Sequence, residues 1–143
     1  MIDDGPDPRR DPDRDRGTIG VLLMVLVVMC LGAAGLVVDG GRAMGARRHA
    51  ANAAEGAARY AVASQSLSAV VDADVLRERA LDFAVRSGVP AASVQVEVDL
   101  TDPAHPVVDV TITEHVPAVF LALAGADDLT VRATGSARFV YST

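Results

Sequence analysis

Thr18–Val38 reads TIGVLLMVLVVMCLGAAGLVV, 21 consecutive residues without a charge. At about 1.5 Å of rise per residue, a helix of this length covers roughly 30 Å, the thickness of a bilayer's hydrocarbon core. The rest of the 143-residue chain is too small to surround an all-apolar helix of that size. The stretch therefore predicts a transmembrane helix over residues 18–38. A cleaved secretory signal is the rival reading, with Ala43 and Gly45 as small residues that a signal peptidase accepts. Such signals carry a positive leader and a shorter apolar stretch of about 7–15 residues. Here the leader holds six Asp and four Arg, and the apolar stretch is longer than that range. Basic residues say little about orientation, since four Arg precede the span and Arg42, Arg47 and Arg48 follow it.

Working toward the N-terminus, residues 1–17 hold charge, three prolines and almost nothing to bury, and they predict a disordered leader. Working toward the C-terminus, residues 39–143 predict one domain beyond the span. From Asp39 to about Leu67, small and apolar residues (Ala43, Ala46, Ala50, Ala53, Ala57, Tyr60, Ser64, Leu67) recur at spacings of three and four. The transmembrane helix is expected to continue into water, bent at Gly40–Gly41, and to carry an alanine stripe that lets another backbone come close. Asp72 or Asp74 then caps a short amphipathic helix with Leu76, Ala80, Phe83 and Ala84 on one face, ended by Gly88 and Pro90.

Beyond it the period changes to two. SVQVEVDL (93–100) and VVDVTITE (107–114) alternate apolar and polar residues around the loop TDPAHP and predict an antiparallel hairpin. PAVFLALAG (117–125) suits a short apolar helix. LTVRATGSARFVY (129–141) predicts a last strand, with Gly135 marking a bulge or bend. The fold class is α+β: a long N-terminal transmembrane helix running into a small domain with an antiparallel sheet. The alanine stripe and the apolar sheet face need each other, because a small sheet exposed on that side would not be stable.

Composition excludes several classes of function. The chain has three Phe, two Tyr and no Trp, and its net charge is −6, so neither a base-stacking surface nor a nucleic acid partner is expected. One cysteine, Cys30, leaves no internal disulfide and no multi-cysteine metal site; it reads as a small apolar residue of the span. His105 lies near Asp99, Asp102 and Asp109, which reads as a polar turn and not as a metal site. No nucleophile elbow or phosphate-binding glycine loop is present. No enzyme activity, cofactor, metal or small-molecule substrate is expected.

Arg16–Ala61 (RGTIGVLLMVLVVMCLGAAGLVVDGGRAMGARRHAANAAEGAARYA) resembles the N-terminal segment of TadE/TadG-like proteins of the Tad (Flp) pilus system. The shared pattern is Arg-Gly at the membrane edge, an apolar span ending in Val38-Asp39-Gly40-Gly41-Arg42, and an Arg- and Ala-rich helix. The resemblance implies a minor pilin, pseudopilin or anchored assembly factor of a type II-related secretion apparatus. Its partners would be the lipid bilayer, other pilin or Tad assembly proteins and a prepilin peptidase. It also implies a single-pass plasma-membrane protein with its N-terminus cytoplasmic and its small domain outside. Cleavage would fall between Gly17 and Thr18. Pilins usually carry Glu at the fifth mature position, and here that position is Leu22.

Four further residues, Asp39, Gly41, Arg42 and Gly45, stand out as helix-packing or interface candidates. Asp39 reads either as the residue where water begins or as a charge pairing with Arg42 or with a neighbouring subunit's Arg. Gly41 and Gly45 have the small-xxx-small spacing that permits close helix approach, to another subunit or to the chain's own sheet. Two functions of different classes follow: a structural subunit of a pilus, or a non-polymerising single-pass envelope adaptor that presents its domain to another protein. A domain released by signal peptidase is a third.

Overall fold

The computed structural model describes residues 12–64, 71–102 and 105–139, with side chains from Gly17 onward. Helix α1 (Pro12–Ala63) runs 52 residues. It continues as helix through Gly40 and Gly41, as one helix running from the apolar span into the domain. Most of the expected charged leader, residues 1–11, lies outside the described residues, while Pro12 to Gly17 already form the start of α1. Helix α2 (Ala73–Arg86) is capped by Asp72, whose Oδ1 accepts the N–H of Asp74 at 2.9 Å. It ends where Gly88 takes a φ of 89° and Val89 donates to the Ala84 carbonyl. Both signals are those expected for its ends.

Three strands follow, β1 (Val94–Asp99), β2 (Val107–Pro117) and β3 (Asp128–Arg138). They form one antiparallel sheet in the order β1-β2-β3. Val96 lies opposite Val110, and Val110 opposite Gly135. Helix α1 covers β2 and β3, and α2 covers β1 and lies beside α1. The core is built from Ala50, Ala53, Ala54, Ala57, Ala58 and Ala61 of α1, Leu76, Ala80 and Ala84 of α2, and Val108, Val110 and Ile112 of β2. Helix on sheet is thus the two-layer solution that the alternating strands require.

The structure corrects the expectations at several points. The buried stripe of α1 includes Ala54, Ala58, Ala61 and Val62, whereas Tyr60 is 38% exposed and Ala43 and Ala46 are only half-buried. Tyr60 instead stacks on Phe83 at 5.3 Å, under the Arg86 guanidinium. Gly135 marks no bulge, because the β2–β3 register passes through it without a skipped residue. A Cβ there would overlap the backbone of Ala54 and Glu55; the glycine is the point where strand and helix backbones touch. The apolar helix expected over 117–125 is absent. Pro117 ends β2 opposite Asp128, and only Leu121–Ala124 form a single 3-10 turn, closed by Gly125 at a φ of 87°. Strand pairing takes Pro117, Asp39 holds the N–H groups of Val119 and Phe120 in a bend, and what remains is too short for an α-helix.

Candidate functional site

The part of α1 over residues 18–38 has almost no protein around it. Every large apolar side chain from Ile19 to Val38 is at least 47% exposed. A core helix of a water-soluble domain would be mostly buried, and this one is long and apolar enough to cross a bilayer. This exposure is consistent with membrane anchoring. Gly17 and Thr18 lie at the start of this exposed stretch, and a Cβ on Gly17 would meet open space.

At the other end of the stretch the helix is not bare. Asp39 is 1% exposed, buried beneath the loop that joins β2 to β3. Its Oδ1 accepts the backbone N–H of Val119 at 3.0 Å. Its Oδ2 accepts those of Phe120 at 2.9 Å and Leu121 at 2.8 Å. These three consecutive donors lead into the 3-10 turn and have no place in a strand ladder, so an ionised carboxylate satisfies them as a helix cap does. One turn earlier on α1, Gly35 is buried against the Phe120 side chain, and a Cβ at residue 35 would lie inside that ring. Asp39 and Gly35 therefore clasp one loop from one face of α1.

Asp39 thus has three partners within its own chain. Arg42 is exposed one turn further on and contributes only a Coulombic attraction to it. Gly41 and Gly45 are exposed, and a Cβ on either would meet nothing within 4 Å. Their small-residue face is turned away from the chain's own sheet.

The histidines each meet one carboxylate. His49 Nδ1 lies 2.9 Å from Glu114 Oε1, linking α1 to β2. That hydrogen bond raises the His49 pKa, against a smaller opposing effect of burial. His105 meets Asp102 at 2.9 Å and His115 meets Asp128 at 3.1 Å. The Thr101 hydroxyl and N–H both donate to Asp99 and lower its pKa. Among the described residues no group of three or more His, Cys, Asp or Glu is arranged to hold a metal ion.

Sequence reasoning missed Gly35 and the loop. The signal that could have found them was Ala118–Ala126, an uncharged segment in a domain that follows directly on a membrane span. Against known proteins, residues 17–64 match the family model of TadE/G-like Flp pilus-assembly proteins. The match covers the span, Asp39 and most of the alanine stripe, and leaves α2 and the sheet outside it. No curated protein and no solved structure matches the chain.

Proposed function

We propose, for a chain that carries a TadE/G-like segment over residues 17–64, that it is a membrane-anchored minor pilin or assembly subunit of a Tad (Flp)-type pilus. The family match supports a pilus-related role and, in general terms, interaction with other pilus-assembly components. The observation that carries the finer reading is the division of α1. Residues 18–38 are apolar and largely bare, and residues 50–62 pack one face against a small sheet domain. A subunit so built has one half for lipid or neighbouring helices and one half to display. In this reading the N-terminus is cytoplasmic and the domain faces outward. Gly17–Thr18 is the prepilin peptidase site, and the open Gly41–Gly45 face, with Arg42 beside it, receives a neighbouring subunit's helix. The chain performs no catalysis and needs no cofactor.

Release by signal peptidase near Ala43 or Gly45 fits the geometry poorly, because it would discard both Gly35 and Asp39, which hold the β2–β3 loop. The reading with a specific observation in its favour is the non-polymerising envelope adaptor. Leu22 stands where a pilin's acid would meet the N-terminal amine of a neighbour, and an uncompensated amine opposes close helix assembly.

The test is deletion of the chain in its own cells with surface pili counted, together with a C-terminally tagged copy in otherwise normal cells that is sought in sheared filaments and in the membrane. Loss of pili with the protein present in filaments supports the subunit. Loss of pili with the protein confined to the membrane favours the adaptor. Unchanged pili would overturn both.

A further inference from the structure

We infer that the β2–β3 loop, Ala118–Ala126, is a second membrane-inserting element that lies in the outer part of the bilayer beside the span. The inference rests on membrane anchoring by residues 18–38 and not on the pilus assignment. Depth along α1 carries it. Gly35 is four residues before Asp39 and Val28 is eleven before it, about 6 Å and about 17 Å into the span at 1.5 Å per residue. Phe120 is seated on Gly35. A groove of about 560 Å³ runs between the two elements, lined by Val28, Leu31, Leu36, Phe120, Leu123 and Ala124. Whatever lies at the level of these helix residues shares their surroundings. If residues 28–36 are in hydrocarbon, so is the loop's apolar side.

The loop is built for that position in two respects. Its side chains are apolar and turned outward: Val119 is 51% exposed, Phe120 41% and Leu123 88%. The segment carries no charge between His115 and Asp127. In water such a display is unfavourable, whereas in a bilayer it is the expected surface. Most of its backbone N–H groups also have partners within the chain, as lipid demands of a non-helical segment. The N–H groups of Val119, Phe120 and Leu121 donate to the Asp39 carboxylate, and those of Ala118, Leu123, Gly125 and Ala126 to the backbone carbonyls of Asp127, Phe120, Ala122 and Leu121. The buried carboxylate satisfies three donors that the turn itself leaves over. The occupant of the groove is then a phospholipid acyl chain, which its apolar lining and its depth both suit. The loop would fix the tilt and height of the domain over the membrane.

The chain has no Trp, so single Trp substitutions report position without background. Leu123→Trp, Ala122→Trp, Gln95→Trp on the exposed face of β1, and Leu22→Trp within the span are placed in the full-length protein. Each variant is reconstituted in phosphatidylcholine vesicles. Quenching by lipid with spin-labelled acyl chains is compared with quenching by aqueous iodide. The expected result is lipid quenching of Leu123→Trp and Ala122→Trp several-fold above that of Gln95→Trp, with blue-shifted emission and protection from iodide. Iodide quenching of both loop variants at the level of Gln95→Trp would overturn the inference while leaving anchoring intact, provided Leu22→Trp is lipid-quenched. Shielding from both quenchers would also overturn it, placing a second copy or another protein over the loop. Absence of lipid quenching at Leu22→Trp would remove the anchoring premise, and the inference with it.

Discussion

Asp39 accepts the backbone N–H of Phe120, 81 positions later in the chain, at 2.9 Å. This bond, with its two neighbours, joins the end of the membrane helix to the far end of the sheet. The two halves of the molecule are therefore tied at a point where neither has much other contact. Replacing Asp39 by Ala should leave the core helices and sheet folded but release the loop. Amide hydrogen exchange at Val119, Phe120 and Leu121 is expected to accelerate by an order of magnitude or more, with Val108 and Val110 unchanged. Equal protection in the variant would show that the carboxylate is not what holds the turn.

Gly135 and Gly41 make opposite predictions for the same substitution. A methyl at residue 135 would overlap the backbone of Ala54 and Glu55, which cannot rotate away. Gly135→Ala should destabilise the domain by about 1–3 kcal/mol or more, read from its thermal or denaturant unfolding. Gly41 sits in the middle of an exposed helix with open space beside it. Gly41→Ala should stabilise the helix by about 0.5–1 kcal/mol.

The Gly41→Ala variant also separates stability from assembly. Should Gly41 and Gly45 receive a neighbouring helix, a variant more stable than the parent will nonetheless co-purify less with its partner subunits. Undiminished co-purification would remove this face from the interface.

Val110 is fully buried between β1 and β3 and faces the alanine stripe. Val110→Asp places a carboxylate there without a partner, at a cost of several kcal/mol, on the order of 3 or more. Circular dichroism melting of the detergent-solubilised chain should show loss of the sheet domain. An unchanged melting profile would contradict the pairing of Val110 with Val96 and Gly135, since a slip of one residue would turn its side chain to the open face.

His49 and Glu114 give the domain a pH dependence of defined sign. The folded pKa of His49 is raised above the ordinary 6.5 by its hydrogen bond to Glu114. A raised folded value means the bond's contribution is fully present below pH 6.5 and is lost as pH rises through the folded pKa. The pair is partly in solvent, so the effect is small, below about 1 kcal/mol. Glu114→Gln should lower the melting temperature in mildly acidic buffer and leave it nearly unchanged in mildly alkaline buffer. An equal change in both buffers would mean that His49 does not gain its proton in the folded state.

Gly17 is where a prepilin peptidase is expected to cut. Co-expression with a Tad-type peptidase and N-terminal sequencing of the recovered chain should yield Thr18 as the first residue. An intact Met1 in the presence of active enzyme would favour the adaptor over the subunit. Because Leu22 offers the new amine no countercharge, the cut protein is expected to assemble only with a partner pilin, and self-assembly of the purified chain would contradict that.

The local chemistry of the sequence was sufficient for most of the elements and for their faces. An uncharged stretch of 21 residues is long enough to cross a bilayer, and alternation in VQVEVD and VDVTIT leaves one way to turn each strand. Asp72, Gly88 and Gly125 act on their nearest neighbours, so their effects on element ends were legible without a fold. Three features were decided only when distant segments met. Tyr60 belongs to the periodic stripe of α1, yet Phe83 and Arg86 draw it to the helix edge. The segment 117–125 has the apolar content of a helix, yet pairing of Val116 with Leu129 and Pro117 with Asp128 commits its beginning to the sheet. Asp39 looks like a residue marking where water begins, and a carboxylate in solution would be that. Its burial beneath Val119–Leu121 depends on where β2 and β3 deliver their connecting loop, and no spacing along the helix contains that information. Capping and periodicity act over a few residues and are written in order; contact between α1 and a loop about 80 residues away is set by the sheet that lies between them.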